Sequence, residues 1–264
     1  MTRTTRPFVE IDRVSMRFGG IAALCDVSFA VPERAIVGLI GPNGAGKTTL
    51  FNCISRLYQP QSGDIRVQGK SILHAPVHEM PAFGIGRTFQ NLALYPALSV
   101  EANVMVGAHP LVNCSALAEA LGMPWARRAE ASARARVREV LEALGLERQA
   151  SRLVAQLTYA DRKRVEIARA LVCRPRLLLL DEPAGGLHHE EVAVLAALIR
   201  SLRDAHGLSV LLVEHHLNLV MTVSDHVVAL DFGHKIADGP PAQVRNEPAV
   251  QKAYLGEMDD AALA

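Results

Sequence analysis

The stretch Ala35-Ile36-Val37-Gly38-Leu39-Ile40-Gly41-Pro42-Asn43-Gly44-Ala45-Gly46-Lys47-Thr48-Thr49 decides the fold. Residues 35–40 form an apolar run that reads as a strand. Residues 41–48 then match G-x-x-x-x-G-K-[ST] ahead of a helix expected from Thr48. Glycines let a backbone wrap closely enough for its N–H groups to point at phosphate oxygens, and the helix N-terminus adds positive potential. On this reading Asn43, Gly44, Ala45, Gly46, Lys47, Thr48 and Thr49 bind the phosphates of ATP. Lys47 meets the β and γ phosphates, and Thr48 offers its hydroxyl to Mg²⁺. An ordinary glycine-rich turn is the alternative, and the strand before and the helix after weigh against it.

A second apolar run, residues 177–180, ends in Asp181-Glu182. Such an unbroken run suits a central parallel strand buried on both faces. Its carboxylates then lie at the C-terminal edge of the sheet, where ligands bind and where the phosphate loop also sits. Asp181 is expected to hold Mg²⁺ through water and Glu182 to polarise the attacking water, since phosphoryl transfer depends on positioning and charge stabilisation. A strand end capped by acids is the plainer alternative.

The rest of the chain fits an α/β fold. Short β-like runs occur at residues 8–11, 23–31 and 64–68. Helical patterns at about 159–173 and 190–203 alternate with strands at 177–180 and 209–213, which implies a parallel sheet with crossover helices. Residues 227–230 and 235–237 flank Phe232-Gly233 as a hairpin. From about Ser99 to Gln156, within an insert placed at about 93–157, the composition turns to Ala, Leu, Arg and Glu. There Ala133, Val137, Val140, Leu141 and Leu144 keep helical spacing, which marks an inserted helical subdomain. Arg134, Arg136 and Arg138 read as its solvated face. The expectation is one domain over residues 6–256 with a tail at 257–264, frayed from Asp259.

Bulk properties narrow the function. The 264 residues can bury a full core, and 28 Lys plus Arg against 27 Asp plus Glu leave a net charge of +1. That balance gives no field for nucleic acid or an anionic membrane. Cys25, Cys53, Cys114 and Cys173 form no CxxC pair, which disfavours zinc and fits a reducing compartment. No window reaches the roughly 18 apolar residues of a membrane span, and the start has no apolar signal region. A soluble, cytoplasmic chain is expected, with any membrane role supplied by a spanning partner.

Together with Gln90 in Arg87-Thr88-Phe89-Gln90-Asn91, Leu157-Thr158-Tyr159-Ala160-Asp161, and His215, the two motifs make the chain resemble an ABC transporter ATPase subunit over nearly its whole length. The resemblance implies an α/β P-loop NTPase (RecA-like) fold: a parallel sheet core, an N-terminal antiparallel β subdomain and the α-helical insert. It implies that Gln90 senses Mg²⁺ and the γ-phosphate and links them to the insert. His215, rather than its neighbour His216, becomes the switch histidine at the γ-phosphate. Phe18 is then the ring that stacks on adenine, with a core phenylalanine as the other reading. Thr158, Tyr159, Ala160 and Asp161 stand where the family's Leu-Ser-Gly-Gly-Gln signature meets the ATP of a second ATPase subunit.

The chain departs from the family there. Ala160 adds a methyl where close backbone approach is needed. Asp161 either brings an anion near phosphate or stabilises its own helix. Weakened function, not loss, is expected. His188, closing Ala184-Gly185-Gly186-Leu187-His188, replaces an aspartate common in the family. The strings at 86–91, 184–187 and Ala253-Tyr254-Leu255-Gly256 resemble branched-chain amino acid importers. That likeness implies two membrane permease subunits, a second ABC ATPase and an extracytoplasmic binding protein, with the chain peripheral on the cytoplasmic face of the plasma membrane. Urea, amide or lipopolysaccharide transport, a nucleotide-gated subunit with weakened hydrolysis, a soluble ABC ATPase and a P-loop kinase are the competing readings.

Overall fold

A computed structural model describes residues 7–89, 92–112 and 123–261, of which 255–261 are described by backbone alone. The chain forms two compact units. One joins Met1–Ile85 to Arg176–Ala264, and the other is Gly86–Pro175.

The first unit contains an antiparallel sheet in the order β2-β1-β4-β5, from β1 (Pro7–Phe18), β2 (Ile21–Pro32), β4 (Ser62–Val67) and β5 (Lys70–Ser71). The sequence suggests that the first strand stops at Ile11, but β1 runs to Phe18. Arg13 takes φ 49° and donates its N–H to Ser28 Oγ at 2.8 Å, and the register with β2 shifts between Ile11 and Val14. This bulge absorbs polar Asp12-Arg13 without ending the strand.

The second sheet has the order β10-β9-β3-β8-β7-β6, with β3 (Ile36–Ile40), β6 (Ile85–Arg87), β7 (Leu177–Asp181), β8 (Ser209–Val213), β9 (His226–Asp231) and β10 (His234–Gly239). Strands β9, β3, β8 and β7 are parallel, and β10 closes the expected hairpin antiparallel to β9. Every residue of β3, β7 and β8 is buried, as their continuous apolar runs require. Leu39 pairs with Val213, and Val213 pairs with Asp181, so three neighbouring strands end at one level. That register, set by the apolar runs alone, aligns the loops that follow.

The helix expected from Thr48 runs over Lys47–Ile54 and the one expected at about 190–203 over His189–His206, while a further helix, Leu217–Val223, follows β8 where the sequence led us to expect none. The last helix, Pro248–Ala261, continues through the segment expected to fray, because no proline or further glycine follows Gly256 to stop it.

The second unit carries helices Val100–Gly107, Pro124–Ala143 and Tyr159–Leu171. The stripe Ala133, Val137, Val140, Leu141 and Leu144 is buried throughout. Arg134 pairs with Glu130 at 2.9 Å on the exposed side. Arg136 departs from the solvated-face expectation. Its side chain is only 15% exposed, and its guanidinium reaches the carbonyls of Leu171 and Val172 at 3.4 Å, where a cation complements a helix C-terminus. Among the described residues no helix is long and apolar enough to cross a membrane.

Candidate functional site

The level strand ends of β3, β8 and β7 each continue into a loop that carries expected site residues. After β3, the phosphate loop turns into the Lys47–Ile54 helix, whose Leu50, Phe51, Cys53 and Ile54 are buried in the core. Burying a Leu, Phe or Ile side chain contributes about 1.5–3 kcal/mol each, so the body of the helix is firmly held. Gly46 is the N-cap at φ 102°, with no side-chain cap on the helix. A Cβ there would lie 2.4 Å from the Ala23 carbonyl oxygen, so only glycine fits. Asn43, Gly44 and Thr48 are exposed, whereas Ala45 and Lys47 are buried. Lys47 Nζ donates to the Gly41 and Pro42 carbonyls at 2.6 and 2.8 Å, which keeps the ammonium inside the curve of the loop.

After β7 comes Glu182, at φ 48°, a conformation that costs a β-carbon residue about 1 kcal/mol or more. Its N–H donates to the Val213 carbonyl at 2.9 Å, one last rung beyond the Asp181–Val213 pair. Asp181 itself is buried at 2% exposure. After β8 the chain reaches Glu214, His215 and His216. His215 Nε2 lies 2.7 Å from Glu182 Oε1, with the histidine open to solvent and the carboxylate mostly covered. His216 instead precedes the Leu217–Val223 helix as its N-cap. The structure thus brings Lys47, Asp181, Glu182 and His215 to one sheet edge. A carboxylate paired with an imidazole there can take a proton from water next to a cationic anion cradle.

Glu214 was not singled out by the sequence. It is buried at 1% exposure, and its Oε1 accepts the Ala184 N–H at 2.6 Å. Burial pushes its carboxyl above the usual range, opposed by the N–H groups of Ala184 and His216. It thereby ties the 184–188 loop to the strand end that carries His215. The available signal was an acid at the end of an apolar strand, the same pattern that marks Asp181. At the far side of that loop, His188 donates its N–H to Glu191 Oε2 at 2.9 Å and opens the His189–His206 helix.

Phe18 is 45% exposed at the β1–β2 turn and meets Tyr58 edge-on at 5.4 Å between ring centroids, so it is not a core residue. Gln90 lies outside the described residues. Next to it, the Phe89 N–H donates to Glu166 Oε1 at 2.8 Å, within the second unit.

Thr158, Tyr159, Ala160 and Asp161 open the Tyr159–Leu171 helix of the second unit. Thr158 Oγ1 accepts the Asp161 N–H at 3.2 Å and donates to Asp161 Oδ2 at 2.9 Å. Gln149 Nε2 donates to the same carboxylate oxygen at 3.3 Å, and Arg164 stands 3.8 Å from the other. Asp161 therefore serves its own helix start, the milder of its two readings. Tyr159 is exposed, with Lys163 Nζ 5.7 Å from its ring centre.

Known proteins are similar throughout. Residues 24–185 match the family described as ABC transporter, and residues 234–260 match the one described as branched-chain amino acid ATP-binding cassette transporter. The high-affinity branched-chain amino acid transport ATP-binding protein BraF of Pseudomonas aeruginosa is 44% identical over 253 residues, covering 96% of this chain and 99% of that protein. Its counterpart LivG of Escherichia coli is 40% identical with the same coverage. A solved ATP-binding cassette of an ABC transporter in its ADP conformation superposes with TM-score 0.83 at 28% identity, over 96% of this chain and all of that one. A nucleotide-free cassette gives TM-score 0.82 at 27% identity, covering 94% and 99%.

Proposed function

Because this chain belongs to the ABC transporter family, we propose that it is the ATP-hydrolysing subunit of an importer of branched-chain amino acids. Full-length likeness to BraF and LivG, both described as branched-chain amino acid transport ATP-binding proteins, is the observation that carries this reading. The separate match of residues 234–260 supports the same branch.

In this reading the amides of residues 43–49 cradle the phosphates of ATP, and Lys47 neutralises the β and γ groups. Glu182 accepts a proton from water as its oxygen attacks the γ-phosphorus, and the bond to the bridging β–γ oxygen breaks, leaving ADP and phosphate. His215, hydrogen-bonded to Glu182, orients that carboxylate and contacts the γ-phosphate. Gln90 senses the γ-phosphate, and the Phe18 ring stacks on adenine.

Thr48, Gln90 and, through water, Asp181 would hold Mg²⁺. One hydroxyl, one amide and one carboxylate are a sparse oxygen set, which suits a hard ion that takes most of its ligands from phosphate and water. The described residues contain no cluster of three or more His, Cys, Asp or Glu that would cage a metal alone. When bound, Mg²⁺ offsets charge that develops on the phosphates.

A single cassette over residues 6–256, with an insert at about 93–157, pairs with a second ABC ATPase. Residues 158–161 of each meet the other's ATP. Two permease subunits hold the pair at the cytoplasmic face of the plasma membrane, and an extracytoplasmic binding protein delivers the amino acid.

The test is uptake of labelled leucine by cells lacking the gene, complemented with the wild type or with Glu182→Gln. Import is expected to fall in the deletion and to return only with the wild type. Leucine import that survives deletion at the parental rate overturns the substrate assignment.

A further inference from the structure

We propose that Tyr254, in the C-terminal helix, is a positioning residue that sets the first turn of the phosphate loop and thereby ties ATP affinity to that helix. The proposal rests on the reading that this loop takes ATP. Tyr254 Oη accepts the backbone N–H of Gly41 at 2.8 Å, across 213 residues of sequence. Gly41 is buried, and a Cβ on it would lie 2.2 Å from the Leu230 carbonyl oxygen, so its backbone is pressed against β9. Its carbonyl accepts from Lys47 Nζ at 2.6 Å. One residue thus has its N–H held by the C-terminal helix and its C=O held by the lysine of the phosphate cradle. A buried amide deprived of its acceptor is costly, so the loop conformation that satisfies Gly41 is the one in which Tyr254 is docked.

The half-buried ring also has somewhere to go. Tyr254 borders a cavity of about 340 Å³ with Leu217, Met221, Arg245 and Val250. Leu217 and Met221 belong to the helix that follows His215. Tyr254 therefore touches the phosphate loop and shares a cavity with the helix that follows His215, and undocking the tyrosine changes how firmly the loop is formed. This gives the 234–260 stretch, matched separately from the core, a task at the nucleotide site.

The experiment compares the full-length wild type with Tyr254→Phe, which removes one oxygen and keeps the ring. Calorimetric titration with MgATP is expected to show affinity about tenfold weaker in the variant, the scale of one buried hydrogen bond. In the assembled transporter the loss falls on KM for ATP more than on kcat, and a purely structural role would lower thermal stability without moving KM. Amide hydrogen exchange supplies a second readout: the peptide containing Gly41 is slow in the wild type and faster in Tyr254→Phe. Equal MgATP affinity in folded wild type and variant overturns the proposal. So does rapid Gly41 exchange in the wild type, which needs no variant to fold. Failure of the wild type itself to bind MgATP instead refutes the nucleotide reading on which the proposal stands.

Discussion

Glu182 Oε1 and His215 Nε2 are 2.7 Å apart because the strands that precede them are hydrogen-bonded neighbours ending at the same level, Asp181 opposite Val213. One residue past that pair on β7 is Glu182, and two past it on β8 is His215. Replacing Glu182 with Gln keeps the size and removes the proton acceptor. Phosphate release by the assembled transporter is expected to drop about 10²- to 10⁴-fold with MgATP binding retained. Turnover within a few-fold of wild type contradicts the role given to the carboxylate.

Glu214 makes a different prediction, because its carboxylate serves the backbone of the 184–188 loop. Glu214→Ala strands the Ala184 N–H in a buried place and should cost about 1–3 kcal/mol in urea denaturation. Glu214→Gln retains an oxygen acceptor and should recover most of that.

The same residue sets a pH dependence. Burial raises its carboxyl pKa in the fold above the ordinary 4.5, so the folded chain binds this proton more readily than the unfolded one. Stability from this group is therefore fully present below 4.5 and is lost as pH rises through the elevated folded value. Glutamine is neutral throughout. The melting temperature of Glu214→Gln relative to wild type should then rise as pH climbs from below 4.5 through the elevated folded value. A constant difference across that range contradicts the assignment.

Gly46 sits where a methyl group has no room. Gly46→Ala combines an unfavourable φ with a contact against the Ala23 carbonyl. It is expected to destabilise the fold by about 2 kcal/mol or more and to abolish detectable MgATP binding. An alanine variant of normal stability and affinity shows that the loop tolerates displacement.

The helix beginning at Tyr159 depends on Thr158 and Asp161 capping each other. Removing the hydroxyl with Thr158→Ala should cost about 1 kcal/mol, read from denaturant midpoints. An unchanged midpoint means that the cap is idle in solution.

Much of the candidate site's geometry was legible because the pattern expected of a phosphate cradle falls within one short stretch. Gly46, Lys47 and Thr48 announce a cradle by spacing, and the apolar run into Asp181-Glu182 announces a buried strand with its charge at one end. What escaped the sequence was contact between distant segments. Ala184 and Glu214 are 30 residues apart, and nothing local marks the carboxylate as the acceptor for that amide. Tyr254 stood out only as part of a C-terminal string, since its hydrogen bond to Gly41 exists only once the helix has docked. Arg13 hid the true length of β1, because a bulge at a charged residue looks like a strand end. Arg136 looked solvated until the helix ending at Leu171 supplied carbonyls for it.

The nucleotide site itself is tested by isothermal titration of the full-length protein with MgATP, in parallel with Lys47→Ala. Saturable uptake by the wild type, with affinity at least about a hundredfold weaker once the ammonium is gone, is the expected result; loss of a charge-assisted contact to phosphate is of that order. Binding that is absent from the wild type, or indifferent to Lys47, contradicts the role of this loop as the seat of ATP.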